Sequence, residues 1–201
     1  MKRLLRERHP YLHEFLPFMS NKGKVLDLGC GLLPNTKYLI DKGIDVVSLD
    51  FNFKYLLYGE KIARQTSFVN GDALFLPFKR NIFNEIIVVD LLEHFHLSAV
   101  GKVLSEIIRV SQDHSYIFLH IPLEGSFAYC FLRLLRKIWV KDPEHKCDFK
   151  YWQIRNILKS FPLNIEREWV DNRLHIFKNP DISAVSVTFI MKVRKEEEQN
   201  Y

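Results

Sequence analysis

The run Val25-Leu26-Asp27-Leu28-Gly29-Cys30-Gly31 constrains this chain more than any other stretch, because it reads as a buried strand that ends in a glycine turn. A backbone that leaves a parallel strand, turns sharply beneath a ligand and starts a helix needs residues without a Cβ at the turn. Gly29 and Gly31 stand there. The spacing predicts a helix over 35–42, stopped by Gly43, and a second strand over 45–49 that delivers Asp50. Asp50 lies nineteen residues after Gly31, the separation at which a carboxylate closing the second strand of a βαβ unit accepts from the two hydroxyls of a ribose. Together these residues imply a parallel sheet with a nucleotide-like ligand at one edge.

The G-x-G-x-x-G fingerprint of dinucleotide sites is broken, since Pro34 occupies its third glycine position. That counts against NAD, and an NAD-dependent oxidoreductase stays as the alternative of another enzyme class. Asp27, two residues before the first glycine, suits a ligand with a positively charged amino acid end. Val25–Gly31, Asp50, the segment Val69-Asn70-Gly71-Asp72-Ala73-Leu74-Phe75-Leu76-Pro77-Phe78 and Phe83–His94 follow one another in a recognisable order. This order resembles the class I S-adenosylmethionine-dependent methyltransferases, in the subgroup with a D-x-G-C-G turn, a G-D-A…L-P-F segment and an L-E-H ending. The resemblance covers residues 23–122 and, more weakly, His145–Ile165.

The resemblance implies S-adenosylmethionine as cofactor and S-adenosylhomocysteine as product. It implies that Gly29, Cys30 and Gly31 pass under the methionine part, with Asp27 at its amino end. Asp50 would bind the ribose hydroxyls and Phe51 would lie against the adenine. In the Gly71-Asp72-Ala73 turn, Asp72 would accept from the adenine amino group and Ala73 would offer its amide to the ring. Val89 or Asp90 would line the pocket after the fourth strand. Three positions depart from the family pattern: Leu33 replaces a third glycine, Asn84 an aspartate, and Asp113-His114 a Gly-Gly turn. Leu33 puts a branched side chain where the loop approaches its ligand. It is the motive for a non-catalytic alternative, a partner-binding module that keeps the fold.

With 201 residues, 47% hydrophobic and 26% charged, the chain can bury a sizeable core, and one domain over 1–201 is expected. Strands are predicted over 24–28, 45–49, 66–69, 85–90, 115–121, 164–170 and 185–193, and helices over 11–18, 35–42, 53–64, 99–110, 126–138 and 150–160. The alternation points to an α/β fold with helices on both faces of a parallel sheet, and the resemblance implies a Rossmann-like three-layer α/β/α sandwich on a mostly parallel seven-stranded sheet whose last strand is antiparallel. In helix 99–110, Val100, Val103, Leu104, Ile107 and Ile108 form an apolar stripe with Lys102, Glu106 and Arg109 outside it. The N-terminal Met1–Arg8 is too charged for a signal peptide, no run approaches the ~18 apolar residues of a membrane span, and a cytoplasmic location is expected. Cys30, Cys130 and Cys147 have no spacing of a disulfide framework or zinc site.

The segment 123–146 exceeds what the core fold needs and is expected to be a lid insertion. Phe127, Tyr129, Phe131, Leu132, Leu134, Leu135, Ile138 and Trp139 make it apolar, while Arg133, Arg136, Lys137 and Lys141 give it a cationic edge. The same pattern fits a helix packed on the sheet, or one lying on a membrane surface. Methyl transfer is an in-line displacement in which the protein mainly positions the reactants, and a base is needed if the acceptor must lose a proton. His94, His120 and His145 are the candidates for that base. His94 also fits a structural turn residue, and His94-x-His96 has no third ligand placed by the sequence, so no metal site is expected. Asp90 and Glu93 read as cofactor-pocket and helix-start residues. The acceptor is expected to be a small or lipid-like molecule. Net charge +5 and pI near 9.0 leave RNA open as an acceptor through Lys2, Arg3, Arg6 and Arg8, although the charges are spread out. Oligomeric state is not legible.

Overall fold

The computed structural model of the protein describes residues 9–20, 23–64, 66–134, 143–172 and 179–195. Seven strands form one sheet: β1 (Val25–Leu28), β2 (Val46–Asp50), β3 (Ser67–Asn70), β4 (Phe83–Val89), β5 (Ser111–Pro122), β6 (Leu163–Asn172) and β7 (Ala184–Val193). Their order is β3-β2-β1-β4-β5-β7-β6. All neighbours are parallel except β7, which runs against both β5 and β6. This is the expected fold class. The order reverses between β1 and β4, so a crevice opens outside their carboxyl ends, where open α/β sheets bind ligands.

Side-chain alternation builds the three layers. Along β1, Val25 packs with Leu12, Phe15 and Leu39 on one face, while Leu26 and Leu28 turn to Val100, Val103 and Ile107 on the other. On β4, Ile87 joins the first group, and Ile86 and Val88 join the second. Buried on both faces, these central strands read as continuous apolar runs rather than alternating ones. Among the described residues, six helices cover the sheet or border its edge: α1 (Pro34–Ile40), α2 (Phe53–Ile62), α3 (Leu97–Val110), α4 (Phe127–Leu134), α5 (Tyr151–Lys159) and α6 (Pro180–Ser183).

Three expectations change. The helix expected over 11–18 is two 3-10 turns, Pro10–Glu14 and Leu16–Phe18. Pro17 lacks the amide a continuous helix would use, whereas Pro10 at the first position is compatible with a helix start. The fifth strand starts at Ser111, with a register shift between Phe83 and Glu85, and His114 takes φ +59°, the backbone shape that a glycine pair would otherwise provide. Glu106, read as an outer residue of α3, is buried. Of the helix expected over 126–138, Phe127–Leu134 is seen, and 135–138, with Trp139 and Lys141, lies outside the described residues, as do the N-terminal basic cluster and the acidic tail after Lys195. Among the described residues no helix is long and apolar enough to cross a membrane.

Candidate active site

The β1 turn is a backbone device. Gly29 (φ +75°), Gly31 (φ +52°) and Leu33 (φ +67°) all take left-handed conformations within five residues. A Cβ on Gly29 would stand 2.9 Å from Leu91, whereas one on Gly31 would meet nothing within 4 Å, so the chain is open above Gly31. The amides of Gly29 and Cys30 donate to the Leu49 carbonyl at 2.8 and 3.1 Å, lashing the turn to β2. Asp50 completes the clasp: Oδ2 accepts from the Gly31 amide at 2.8 Å and Oδ1 from the Asn52 amide at 2.7 Å. A carboxylate has about four acceptor positions, so two remain for other donors. Burial pushes the Cys30 thiol up, with the Asp27 and Asp50 charges adding to it, so Cys30 serves the turn as an apolar filler.

Leu33 does not obstruct this turn. Its side chain is fully buried with Cys30, Leu56 and Ala63 beneath α2. Space for it comes from Gly59, where a Cβ would stand 2.5 Å from Leu33 Cδ1. The left-handed backbone costs about 1–2 kcal/mol for a residue with a Cβ, offset by the burial of its side chain. The steric motive for a non-catalytic module therefore disappears.

Asp27 faces α1. Its Oδ2 accepts from the Thr36 hydroxyl at 2.6 Å, and Thr36 also pairs with the Ser48 hydroxyl at 2.8 Å. Burial raises the Asp27 carboxyl to about 6, and the Thr36 hydrogen bonds work in the opposite direction. After β3, Asp72 Oδ1 accepts from the Leu74 amide at 2.9 Å and the Asp72 carbonyl accepts from the Phe75 amide at 3.0 Å, which orders the Gly71-Asp72-Ala73 turn. Gly71 lies where a Cβ would come within 3.1 Å of Leu49, and Ala73 is buried. Phe51, 79% exposed, stands out beside Asp50.

The L-P-F end of this turn is held by α3. Glu106 Oε2 accepts from the Leu76 amide at 2.8 Å. Arg109 pairs with Glu106 at 2.8 Å and donates to the Leu76 and Phe78 carbonyls. The guanidinium hydrogen bonds hold the Glu106 carboxyl down at about 2. No sequence reading found this pair, although an acid and an arginine three apart on α3 were the available signal.

At the carboxyl ends of β4 and β5 the candidates divide. Val89 is half-buried at the end of β4, and Asp90 follows with φ +50°. His120 is placed with Asp90, 3.5 Å away, and with the Thr188 hydroxyl at 2.9 Å, and it packs on the His9 ring at 4.0 Å. His9, which sequence reasoning missed, has its amide on Asn35 Oδ1 at 2.9 Å. Burial, together with His120, lowers its imidazole to about 3, so His9 is neutral. His94 and His145 form the second group, their rings edge to face at 4.8 Å. His96 is exposed at the start of α3.

Around His94 and His145 the structure gathers charge that the sequence hid. Fully buried Glu93 lies 3.9 Å from His145 Nε2. Buried Glu124 takes His145 Nδ1 at 2.9 Å and the Tyr129 hydroxyl at 2.7 Å. The amides of Lys146 and Cys147 donate to the Glu93 carbonyl at 2.8 and 3.1 Å, clamping this part of the chain to the turn after β4. The signal for Glu124 was an acid directly after the apolar β5, in Pro122-Leu123-Glu124. Above it, α4 buries Ala128 against Val185 and exposes Phe127, Phe131 and Leu134, with the two phenyl rings stacked at 5.9 Å.

Residues 25–114 match the family described as a methyltransferase domain. A demethylmenaquinone methyltransferase of Beutenbergia cavernae is 35% identical over 131 residues, which is 60% of this chain and 54% of that protein. Another, of Renibacterium salmoninarum, is 33% identical over 118 residues, 57% of this chain and 48% of that protein. The chain thus spans about half the length of the curated relatives it matches. An S-adenosylmethionine-dependent methyltransferase structure from Methanosarcina mazei superimposes with a TM-score of 0.73 at 18% identity, covering 95% of this chain and all of the other, and it supports the fold alone. The turn that Asp50 clasps lies inside residues 25–114, the part of the chain that is similar to a methyltransferase domain.

Proposed function

We propose that this chain transfers a methyl group from S-adenosylmethionine to a small or lipid-like acceptor by in-line displacement, leaving S-adenosylhomocysteine. The observation that carries this reading is Asp50, which orders the open Gly31 turn with two acceptor positions and keeps two for a ribose diol. In this reading Gly29, Cys30 and Gly31 underlie the methionine part, with Asp27 toward its amino end. Phe51 covers the adenine, Asp72 and Ala73 meet its edge, and Val89 and Asp90 border the ribose side. The acceptor lies toward His94 and His145 under the lid segment 123–146, whose outward Phe127 and Phe131 give it an apolar wall. His120 keeps the β5 end in shape through Asp90 and Thr188. An apolar acceptor also agrees with the relatives, two of which are named for demethylmenaquinone. Cys30, Cys130 and Cys147, which form no disulfide among the described residues, fit a reducing, cytoplasmic setting, and the reading takes the chain as one catalytic domain.

Two measurements test it. Calorimetric titration of the full chain with S-adenosylhomocysteine is expected to show one site of micromolar affinity, with none for NADH; the reverse result overturns the reading. Incubation with methyl-labelled S-adenosylmethionine and, separately, a prenylated naphthoquinol, a sterol or RNA should put label into an organic-soluble product. Label confined to RNA would move the acceptor to nucleic acid.

A further inference from the structure

We propose that Glu93, His94 and His145 bind one divalent transition-metal ion, of which Zn2+ is the representative. One ligand atom from each of these residues lies within 4.8 Å of the others, and His145 Nε2 stands 3.9 Å from Glu93 Oε1. Around an ion with ligands at about 2.0–2.2 Å, tetrahedral neighbours lie roughly 3.4 Å apart. The side chains close on an ion by moving on the order of 1 Å.

An independent observation points the same way. A metal-binding imidazole is generally oriented by a carboxylate on its other ring nitrogen. His145 has that arrangement: Nδ1 meets Glu124 Oε1 at 2.9 Å, and Glu124 is steadied by the Tyr129 hydroxyl at 2.7 Å. Nε2 is thereby turned toward Glu93. The frame is stiff, because the backbone amides after His145 are bound to the carbonyl of Glu93 itself. Two imidazoles and one carboxylate suit borderline ions such as Zn2+, Fe2+, Co2+ or Ni2+ more than Mg2+ or Ca2+.

Three protein ligands leave coordination positions open, the pattern of a catalytic site rather than a structural one. In its role, though not its existence, the ion rests on the methyl-transfer reading. An acceptor hydroxyl bound there has its pKa lowered, and its proton leaves to water. The resulting oxyanion, or the ring carbon conjugated with it, then forms a bond to the sulfonium methyl carbon. The carbon–sulfur bond breaks, and its electron pair stays on sulfur as the neutral thioether. The acceptor class is accordingly a phenol, enol or hydroquinone rather than an amine.

The test uses the full chain after chelator treatment. Zn2+ is titrated in competition with a chromophoric chelator, and Co2+ is added as a spectroscopic substitute. One Zn2+ per chain is expected, with intense visible bands for the Co2+ form. His94→Ala and His145→Ala are expected to weaken Zn2+ at least about a hundredfold, and Glu124→Gln about 10–100-fold through the orienting bond alone. Hydrogen exchange on the unmutated protein guards against variants that fail to fold: Zn2+ should slow it at residues 92–94 and 145–147. No saturable uptake, uptake unchanged in both histidine variants, or exchange unchanged by Zn2+ overturns the site. S-adenosylhomocysteine binding, measured in parallel on the metal-free chain, separates the two ideas. Its presence without Zn2+ uptake removes only the metal, and its absence removes the methyl-transfer reading.

Discussion

The two sides of the crevice are made of different material. On the β1–β3 side, the groups that order the turns are largely main-chain: three left-handed backbones within five residues, amides on the Leu49 carbonyl and on Asp50, and an Asp72 turn pinned from below by Glu106 and Arg109. On the β4–β5 side they are side chains brought from separate parts of the chain, with half-buried His94, Tyr129 and His145 meeting buried Glu93 and Glu124. A site of the first kind tolerates changes of side chain as long as the backbone shape survives. A site of the second kind is tied to particular donors and acceptors, and one substitution rewires its charge.

The largest effect expected on the first side comes from Arg109→Met. It leaves Glu106 buried without its guanidinium and frees the Leu76 and Phe78 carbonyls. The loss is about 3 kcal/mol, which for a chain of this size lowers the melting temperature by roughly 6–12 °C. A melting temperature within about 2 °C of the parent would show that the 72–78 turn stands by itself.

Next in size is Asp50→Ala. It removes a charge-assisted acceptor worth about 1.5–3 kcal/mol per hydrogen bond and also releases the Gly31 amide. Affinity for S-adenosylhomocysteine should fall at least about tenfold. Unchanged affinity in the calorimeter would take Asp50 out of the site and make the clasp purely architectural.

A smaller effect concerns pH, and two carboxyls behave oppositely. Glu106, held at about 2 against an ordinary 4.5, stabilises the fold fully above pH 4.5, and that contribution is lost as pH falls toward 2. Asp27, raised from 3.8 to about 6, favours the fold below pH 3.8, and this contribution is lost as pH rises through 6. If Asp27 serves the cationic amino end, S-adenosylhomocysteine affinity should rise by up to about tenfold between about pH 5 and about pH 7, as the carboxyl ionises. Asp27→Asn should flatten that limb. A slope that persists in the Asn variant would assign the titration to another group.

The smallest structural effect is expected at α4. Phe131→Ala removes a ring that is already 38% exposed, so melting temperature and cofactor affinity should stay within experimental error while acceptor turnover falls several-fold. A collapse of stability instead would make α4 part of the core and end its role as a lid.

The contrast between the two sides also explains what was readable beforehand. The Gly29–Gly31 turn and Asp50 were legible because each geometric demand falls on neighbouring residues of one βαβ unit. The alternation of strand and helix made the parallel sheet legible, whereas the reversed β7 was implied by the family resemblance and the strand order is known only from the structure. Glu106 was misjudged because helical periodicity reports which face is apolar, and a salt-bridged acid at the rim of that face is buried through its partner. The N-terminal turns were misjudged because apolar spacing mimicked a helix that Pro17 interrupts. The His145–Glu124 contact spans twenty-one residues and depends on how the chain returns after α4, which no local pattern encodes.

Leu33 and Gly59 carry a consequence for how this sequence can change. With Leu33 Cδ1 standing 2.5 Å from where a Cβ on Gly59 would lie, the two positions are not independent. Restoring glycine at 33 relieves the backbone but empties a buried space; adding a methyl at 59 fills a space already occupied. Either step alone descends in stability, while the pair exchanged together can arrive at an equally sound protein. The order in which mutations are accepted is thereby restricted, and any library built on this scaffold must vary residues 33 and 59 jointly to reach the neighbouring solution.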